Sequence, residues 1–446
     1  MSKKPRLTRR AVLGTAAAAT LPLVHIRTAG AAGKLSLALW DHWVPASNGV
    51  MKAQIDAWGE KNKVEVSVDF ITSVGFKIEL TAAAQYQARK GHDLIFIPNW
   101  DVSKYADRLE PVDDVIAELE KRYGAYSETY GYLAKSGNRW RAIPSSTGSL
   151  NLTACARISM FKQHAGIDLR ELYPAAPQDK TIGDSWDYDA FLKAAEACHK
   201  AGVPFALGLG QTNDSINNTG AWYAAFGAQL IDANGKIQVK SDKTQQFLEY
   251  AQKLVKFLPN DAASYDDASN NRALISGKSA LIMNPPSAWA VAKRDAIAVA
   301  EDCWTFPMPK GPAGRFIPFN YAFYGIWDFG SNKTAAKELA MHLQERANVE
   351  PRCVASEGYD LPPLVSMSDF DIWSKVTPPT GTIYNYPIRP WHDAKPSMTA
   401  APAPHEIAVQ VFQRAVHPAI LARLQRGESI KKVTDWAQDE LEGFTK

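Results

Sequence analysis

The chain has 446 residues, 46% hydrophobic and 22% charged, a globular composition too long for one compact core and suited to two or three domains. Its formal charge of +3 comes from one end. Residues 1–31 hold six basic side chains (Lys3, Lys4, Arg6, Arg9, Arg10, Arg27) and no acidic one, and without them 44 basic groups face 47 acidic ones, a net of −3. That balance excludes attraction to nucleic acid or to an anionic membrane as the basis of function.

The elements follow in chain order. The basic start, the run AVLGTAAAATLPLVHI and the small residues TAGAAG predict an export signal cleaved near Ala31, and Arg9-Arg10 resembles a twin-arginine signal. The run is too short and too weakly apolar to span a bilayer, so the mature chain is expected in the periplasm. Leu35–Trp40 is a short apolar run, and Gly49–Lys61 places Met51, Ile55 and Trp58 at helical spacing. KVEVSVDF alternates as a strand, Phe76–Arg89 is helical, and DLIFIP is apolar again. This β-α-β-α-β order predicts a parallel sheet with helices on both faces, whose ligands meet the carboxyl ends of the strands. Trp40-Asp41-His42-Trp43 and Pro98-Asn99-Trp100-Asp101 then fall on one rim.

Further on, DYDAFLKAAEACHKAG reads as a helix, followed by the apolar run VPFALGLG, and Asn234-Gly235 marks a tight turn. Helices fit Thr244–Phe257 and Ala268–Ser276, before the strand SALIMN and a second aromatic strand, FNYAFYGIWDF. His405–Leu424 and Ser429–Phe444 close the chain as helices. Trp58, Trp140 and Trp327 sit in helical or alternating apolar context and are expected to pack.

Several chemistries lack their motifs. Cys155, Cys198, Cys303 and Cys353 have no CxxC spacing and are expected as buried thiols. Gly277-Lys278-Ser279 has Arg272 where a phosphate-binding loop requires Gly, and it precedes a strand instead of a helix. No GxSxG or HExxH occurs, and the His-Asp neighbours are adjacent pairs instead of i,i+4 sets, so no metal site is expected.

Taken in order, the segments resemble the bacterial extracellular solute-binding proteins of carbohydrate ABC transporters, the maltose-binding-protein class. The resemblance rests on ALW, NKVEVSVDF, QARKGHDLIFIPNWD, YADRLEPVDD, RWRAIPSSTGS, MFKQHAGID, SWDYDAFLKAA, ISGKSALIMNPPSAW, PMPKGPAG, GYDLPP and GESIKKVTDWAQDEL. It implies a class II periplasmic binding protein: two α/β lobes, each a mainly parallel sheet flanked by helices. Residues 34–145 and 318–357 would form lobe 1, and 146–317 with 358–446 lobe 2. The hinge crossings would lie near Ile143–Ser149, Phe316–Asn320 and Glu357–Leu361. A monomer would hold a small molecule, a sugar or polyol, between lobes that close by bending, and pass it to an inner-membrane permease. No cofactor is implied.

By position in that resemblance, Trp40, Asp41, His42 and Trp43 form the first-lobe wall, with Asn99, Trp100 and Asp101 beside it. Asn217, Asn218, Trp222, Tyr223 and Trp289 come from the second lobe. Asn320, Tyr321 and Tyr324 flank the second crossing, and Tyr359 and Asp360 the third. Aromatic faces suit the C–H face of a sugar, and Asp, Asn and His its hydroxyl rim. Asp41 and Asp101 serve equally well as helix caps. Two other functions stay open: a glycoside-active enzyme built on Asp41 and Asp101, and a Trp/Tyr cage for a quaternary ammonium solute.

Overall fold

This computed structural model describes residues 33–445, and the predicted export signal lies outside them. β1 (Gly33–Trp40) carries Leu37, Ala38 and Leu39 in succession, all buried, as a strand covered on both faces must. α1 (Pro45–Asn62) starts with proline at its first position, buries Met51, Ile55 and Trp58 on one side, and ends at Lys63 in the left-handed region. β2 (Val64–Ile71) alternates as an edge strand, α2 (Lys77–Ala88) turns Ile78, Ala82 and Gln85 inward, and β3 (Leu94–Pro98) is wholly buried.

The chain then crosses through β4 (Ile143–Pro144) and β5 (Leu150–Asn151) into β6 (Ala154–Arg157). The second lobe adds α3 (Tyr188–Lys200), capped by the Asp187 carboxylate on the Ala190 N–H, and α4 (Asn213–Ala225). β7 (Leu281–Ile282), α5 (Pro285–Asp295) and β8 (Cys303–Phe306) follow. β9 (Gly314–Asn320) returns the chain to β10 (Ala322–Ile326), and α6 (Arg346–Ala355) packs on α1. The last part holds β11 (Ala394–Ser397), α7 (His405–Gln413), α8 (Val416–Gln425) and α9 (Ile430–Phe444).

One sheet has the order β2-β1-β3-β10-β4, with β1 parallel to β2 and β3, and β10 antiparallel to β3 and β4. A second sheet, β8-β6-β7, is antiparallel throughout, and in a further sheet β9 pairs in parallel with β11. The two-lobed α/β architecture is the expected one, but the second lobe's sheet departs from a mainly parallel plan. Direction explains it. Strands built within a lobe run toward the hinge, whereas β6 and β10 enter from it and run away. Each entering strand therefore lies antiparallel to its neighbours.

The crossings lie side by side. β5 pairs with the end of β9, and the Ser145 N–H donates to the Ala322 carbonyl at 2.8 Å. The third crossing joins them where the Leu361 N–H donates to the Ser149 carbonyl at 2.9 Å.

Two expectations are refined. His405–Leu424 is two helices, because the chain turns left-handed at Ala415 (φ 50°) and Pro418 fits only near the start of a new helix. The break lets α7 pack on the short helix Asp101–Tyr105 of the first lobe while α8 packs on α4. All four cysteines are buried free thiols, and the Cys303 thiol is raised by the neighbouring Cys155 thiol on the adjacent strand and by burial. Trp58, Trp140 and Trp327 are buried in the core. Among the described residues no helix is long and apolar enough to cross a membrane.

Candidate functional site: the interlobe cleft

A narrow cavity of about 50 Å³ lies between the lobes at the carboxyl ends of their strands. Trp40 and Trp43 follow β1, Phe96 and Pro98 end β3, and Ser73, Ile78 and Glu79 come from the β2–α2 turn. Gly148, Leu150, Asn320 and Tyr359 close the hinge end, and Asn213, Asp214, Asp267 and Asn284 form the second-lobe wall.

The aromatic surface at the tip of β1 is a wall of this cavity. Trp40 stacks on Phe96 at 6.0 Å between centroids and 25° between planes, lies 5.9 Å from Tyr359, and donates its indole N–H to Ser73 Oγ at 3.3 Å. A ring held on three sides is presented to the cavity in one orientation.

His42 and Asp360 sit behind that wall. The Val44 N–H donates to His42 Nδ1 at 2.8 Å, so Nε2 carries the hydrogen and donates to Asp360 Oδ1 at 3.2 Å. The Gly148 N–H donates to the same oxygen at 3.0 Å. The pair ties the turn after β1 to the first and third crossings, and neither side chain lines the cavity. Gly148 has φ +84°, and an added Cβ would lie 2.8 Å from the Phe96 ring. Gly148→Ala is expected to lose about 1–3 kcal/mol of stability, measured by denaturant unfolding.

Asn99, also in the left-handed region (φ 44°), exchanges backbone and side-chain bonds with Tyr321 at 2.8 and 2.9 Å. Its Nδ2 donates to Asn320 Oδ1 at 2.6 Å, which orients Asn320 in the cavity wall.

Three carboxyl groups that the sequence reading did not single out face the cavity. Glu79 Oε1 accepts from Asn213 Nδ2 at 3.3 Å, a bond that joins the two lobes across the cleft. Asp214 Oδ2 accepts from Asn270 and Asn284 at 3.3 and 3.0 Å. Burial pushes Glu79 up to about 7. Burial, then the charge of Asp266, takes Asp267 to about 6. Asp214 is raised by burial and then by Asp267. Past Glu79, Pro98 and Asn213 the cleft continues into a second hollow, lined also by Phe76, Asp101, Lys104, Phe412 and Gln413. Burial raises the Asp101 carboxyl, which accepts from Gln413 Nε2 at 3.2 Å.

Of the residues expected at the site, Trp40, Trp43, Asn320 and Tyr359 line the main cavity, and His42, Asp360 and Asn99 support it. The others lie elsewhere. Trp100 is buried against Tyr132 and His405, with its indole N–H on the Thr399 carbonyl at 2.8 Å. Trp289 is buried with its indole N–H on the Pro378 carbonyl at 2.8 Å. Asn217, Asn218, Trp222 and Tyr223 lie on α4, which is buried on nearly every side. Its Gly220 lies so close to Thr399 that an added Cβ would collide with the Thr399 side chain. Tyr223 packs on Phe247 and His417. Tyr321 lines a separate apolar hollow with Leu361 and Trp373, and Tyr324 is buried in β10. Asp41 is exposed and accepts from Asn48 Nδ2 at 2.7 Å. Asp41 and Asp101 thus share no cavity, and an acid/base pair is not assembled from them.

The carboxyl-end rule, applied to the second lobe, picks out residues missed above. Asn284 ends SALIMN, and Asn213-Asp214 follow the apolar run VPFALGLG, which lies along β7 through the Ala206 N–H to Leu281 carbonyl bond of 2.9 Å. Glu79 and Asp267 carry no such signal, since each reads as a solvated surface charge.

Residues 45–349 match the family model described as bacterial extracellular solute-binding protein, and the chain belongs to that family. The fold is similar to that of the maltose-bound MalE3 of T. maritima, with a TM-score of 0.70 at 17% identity over 92% of this chain and 99% of that one. It is similar also to a sugar transporter from Arthrobacter chlorophenolicus with bound laminaribiose (TM-score 0.69, 16% identity, 92% and 99% covered). An ABC transporter solute-binding protein from Thermotoga lettingae bound with α-D-tagatose matches at 0.70 and 16%, over 93% and 100%. No curated protein sequence matches significantly.

Proposed function

We propose that this chain is the substrate-binding component of an ABC importer. It would hold a carbohydrate or related polyol in the interlobe cleft and deliver it to an inner-membrane permease. One observation carries this reading: an aromatic wall of Trp40, Phe96 and Tyr359 shares a cavity with the polar side chains of Asn213, Asp214, Asn284 and Asn320. Flat rings cover the apolar face of a sugar, and amides and carboxylates bind its hydroxyls. The bound sugars of the three similar structures support the same class. The second hollow leaves room for more than one ring. The protein would act as an exported periplasmic monomer, cleaved after Ala31, that needs no cofactor and releases its ligand unaltered.

Thermal shift across sugars and polyols tests this. A ligand at a hundredfold excess over its Kd is expected to stabilise the protein by about 2.7 kcal/mol, to be recovered intact, and to perturb tryptophan emission. That perturbation should vanish when Trp40 and Trp43 are both changed to Phe. Ligand turnover, or indifference to every sugar and polyol, would count against the reading.

A further inference from the structure

The charge of the cleft is one-sided. Glu79, Asp214 and Asp267 line the main cavity, and no Lys, Arg or His lines it with them. Among the described residues none of the three enters an ion pair. Lys104 lines the second hollow beside Asp101. Among the described residues lining this cavity, three buried acceptor atoms have no partner: Glu79 Oε2, Asp267 Oδ1 and Asn284 Oδ1, the last on a side chain only 5% exposed.

These observations select among small solutes. A neutral sugar supplies hydroxyl donors but leaves three clustered carboxyl groups uncompensated in a closing, water-poor space. A quaternary ammonium group supplies charge but has no N–H, so every orphan acceptor would remain unpaired. A protonated primary amine supplies both. It carries one positive charge and three N–H donors, the number of acceptors left open, and such charge-assisted bonds are about twice as strong as neutral ones.

Resting on the carbohydrate reading above, we infer that the cleft's cognate ligand is an aminated sugar or amino-polyol. Its ammonium group sits among Glu79, Asp214, Asp267 and Asn284, and its apolar ring face lies on Trp40 and Tyr359. The permease partner then imports a cation, and the receptor discriminates by an amine where others discriminate by hydroxyl pattern.

Protonation gives an independent handle. The groups facing Glu79 are Asp101, Asp267 and the Asn213 amide. Asp267 faces Asp266, while Asp214 faces Asp267 and the Asn270 amide. Asp266 is paired with Arg272 and Asp101 faces Lys104, but the groups that face the three carboxyls directly are acidic or neutral, and burial holds Glu79 and Asp267 above the usual carboxylate range. An ammonium guest ionises them, and affinity should rise with pH through the range near 6 to 7 where Asp267 and Glu79 titrate.

Isothermal titration calorimetry on the purified protein tests the inference. The probes are glucosamine oligosaccharides, their N-acetylated forms, the matching neutral gluco-oligosaccharides, and glycine betaine. The aminated series should bind roughly 100-fold tighter than its neutral twins at pH ~6, where the amine is protonated, and binding should release protons from the cleft. The Glu79→Gln/Asp267→Asn double variant should lose most of that preference, so that aminated and neutral probes bind it within a few-fold of each other. Neutral sugars binding as tightly as aminated ones would overturn the inference and leave the carbohydrate reading intact. Betaine binding with no sugar of either series would overturn both.

A ligand-free measurement adds a second check. A carboxyl group raised by folding weakens the fold as pH climbs above its ordinary range, and the penalty is complete above its folded value. Glu79→Gln should therefore raise the melting temperature by a few degrees at pH ~8 and leave it unchanged at pH ~4.5. An equal effect at both pH values would show that Glu79 is already compensated, and would also overturn the inference.

Discussion

Asp360→Ala is expected to destabilise the protein by about 3–5 kcal/mol although Asp360 touches no ligand. Its side chain is inaccessible to solvent, and one oxygen accepts from both His42 Nε2 and the Gly148 N–H. Removing the carboxylate strands two buried donors, each costing about 1–3 kcal/mol, and opens a cavity beside Tyr359. The turn after β1 and two of the three hinge crossings lose their common tie, so binding should weaken as well. Asp360→Asn keeps an acceptor and most of the volume and should lose about half as much. Denaturant unfolding of both variants decides the matter. A loss under about 1 kcal/mol for the alanine variant would mean that the tie is slack.

Trp40→Ala is expected to weaken ligand binding about 100-fold, close to 3 kcal/mol, because a buried indole contributes the largest apolar face a side chain can offer. The stack on Phe96 and the bond to Ser73 hold that face in place, so the substitution also releases its neighbours. Trp40→Phe should recover part of the loss. Trp100→Phe and Trp289→Phe serve as comparisons. Both indoles donate to backbone carbonyls away from the cavity, at Thr399 and Pro378. Their loss should lower the melting temperature and leave Kd within about twofold, as calorimetry would show. Equal loss of affinity at Trp40 and Trp289 would contradict the assignment of the cavity.

The first lobe was legible because periodicity and strand direction are local properties. Met51, Ile55 and Trp58 mark a helix face, the alternation of KVEVSVDF marks an edge strand, and the carboxyl-end rule brings Trp40 and Trp43 to the rim. Burial on all sides was not legible. α4 looks like a site helix in sequence, with two asparagines followed by Trp222 and Tyr223, yet it packs inward because Gly220 admits Thr399 against its backbone. Only the first turn of that helix, Asn213 and Asp214, reaches the cavity. The roles of Glu79 and Asp267 depend on two lobes meeting, a tertiary fact with no short-range signature. His42 matched a site position for a reason other than contact: it braces the hinge.

The cavity is lined at its hinge end by Gly148, Asn320 and Tyr359, and it continues past Glu79 toward Phe412 and Gln413. A chain-like guest can therefore lengthen in that direction. Its terminal unit would lie in the narrow hinge end, while later units would extend into the wider second hollow. On the proposed reading, such a cleft would check identity at the tip and tolerate length at the tail, and one receptor would serve oligomers that share an end group.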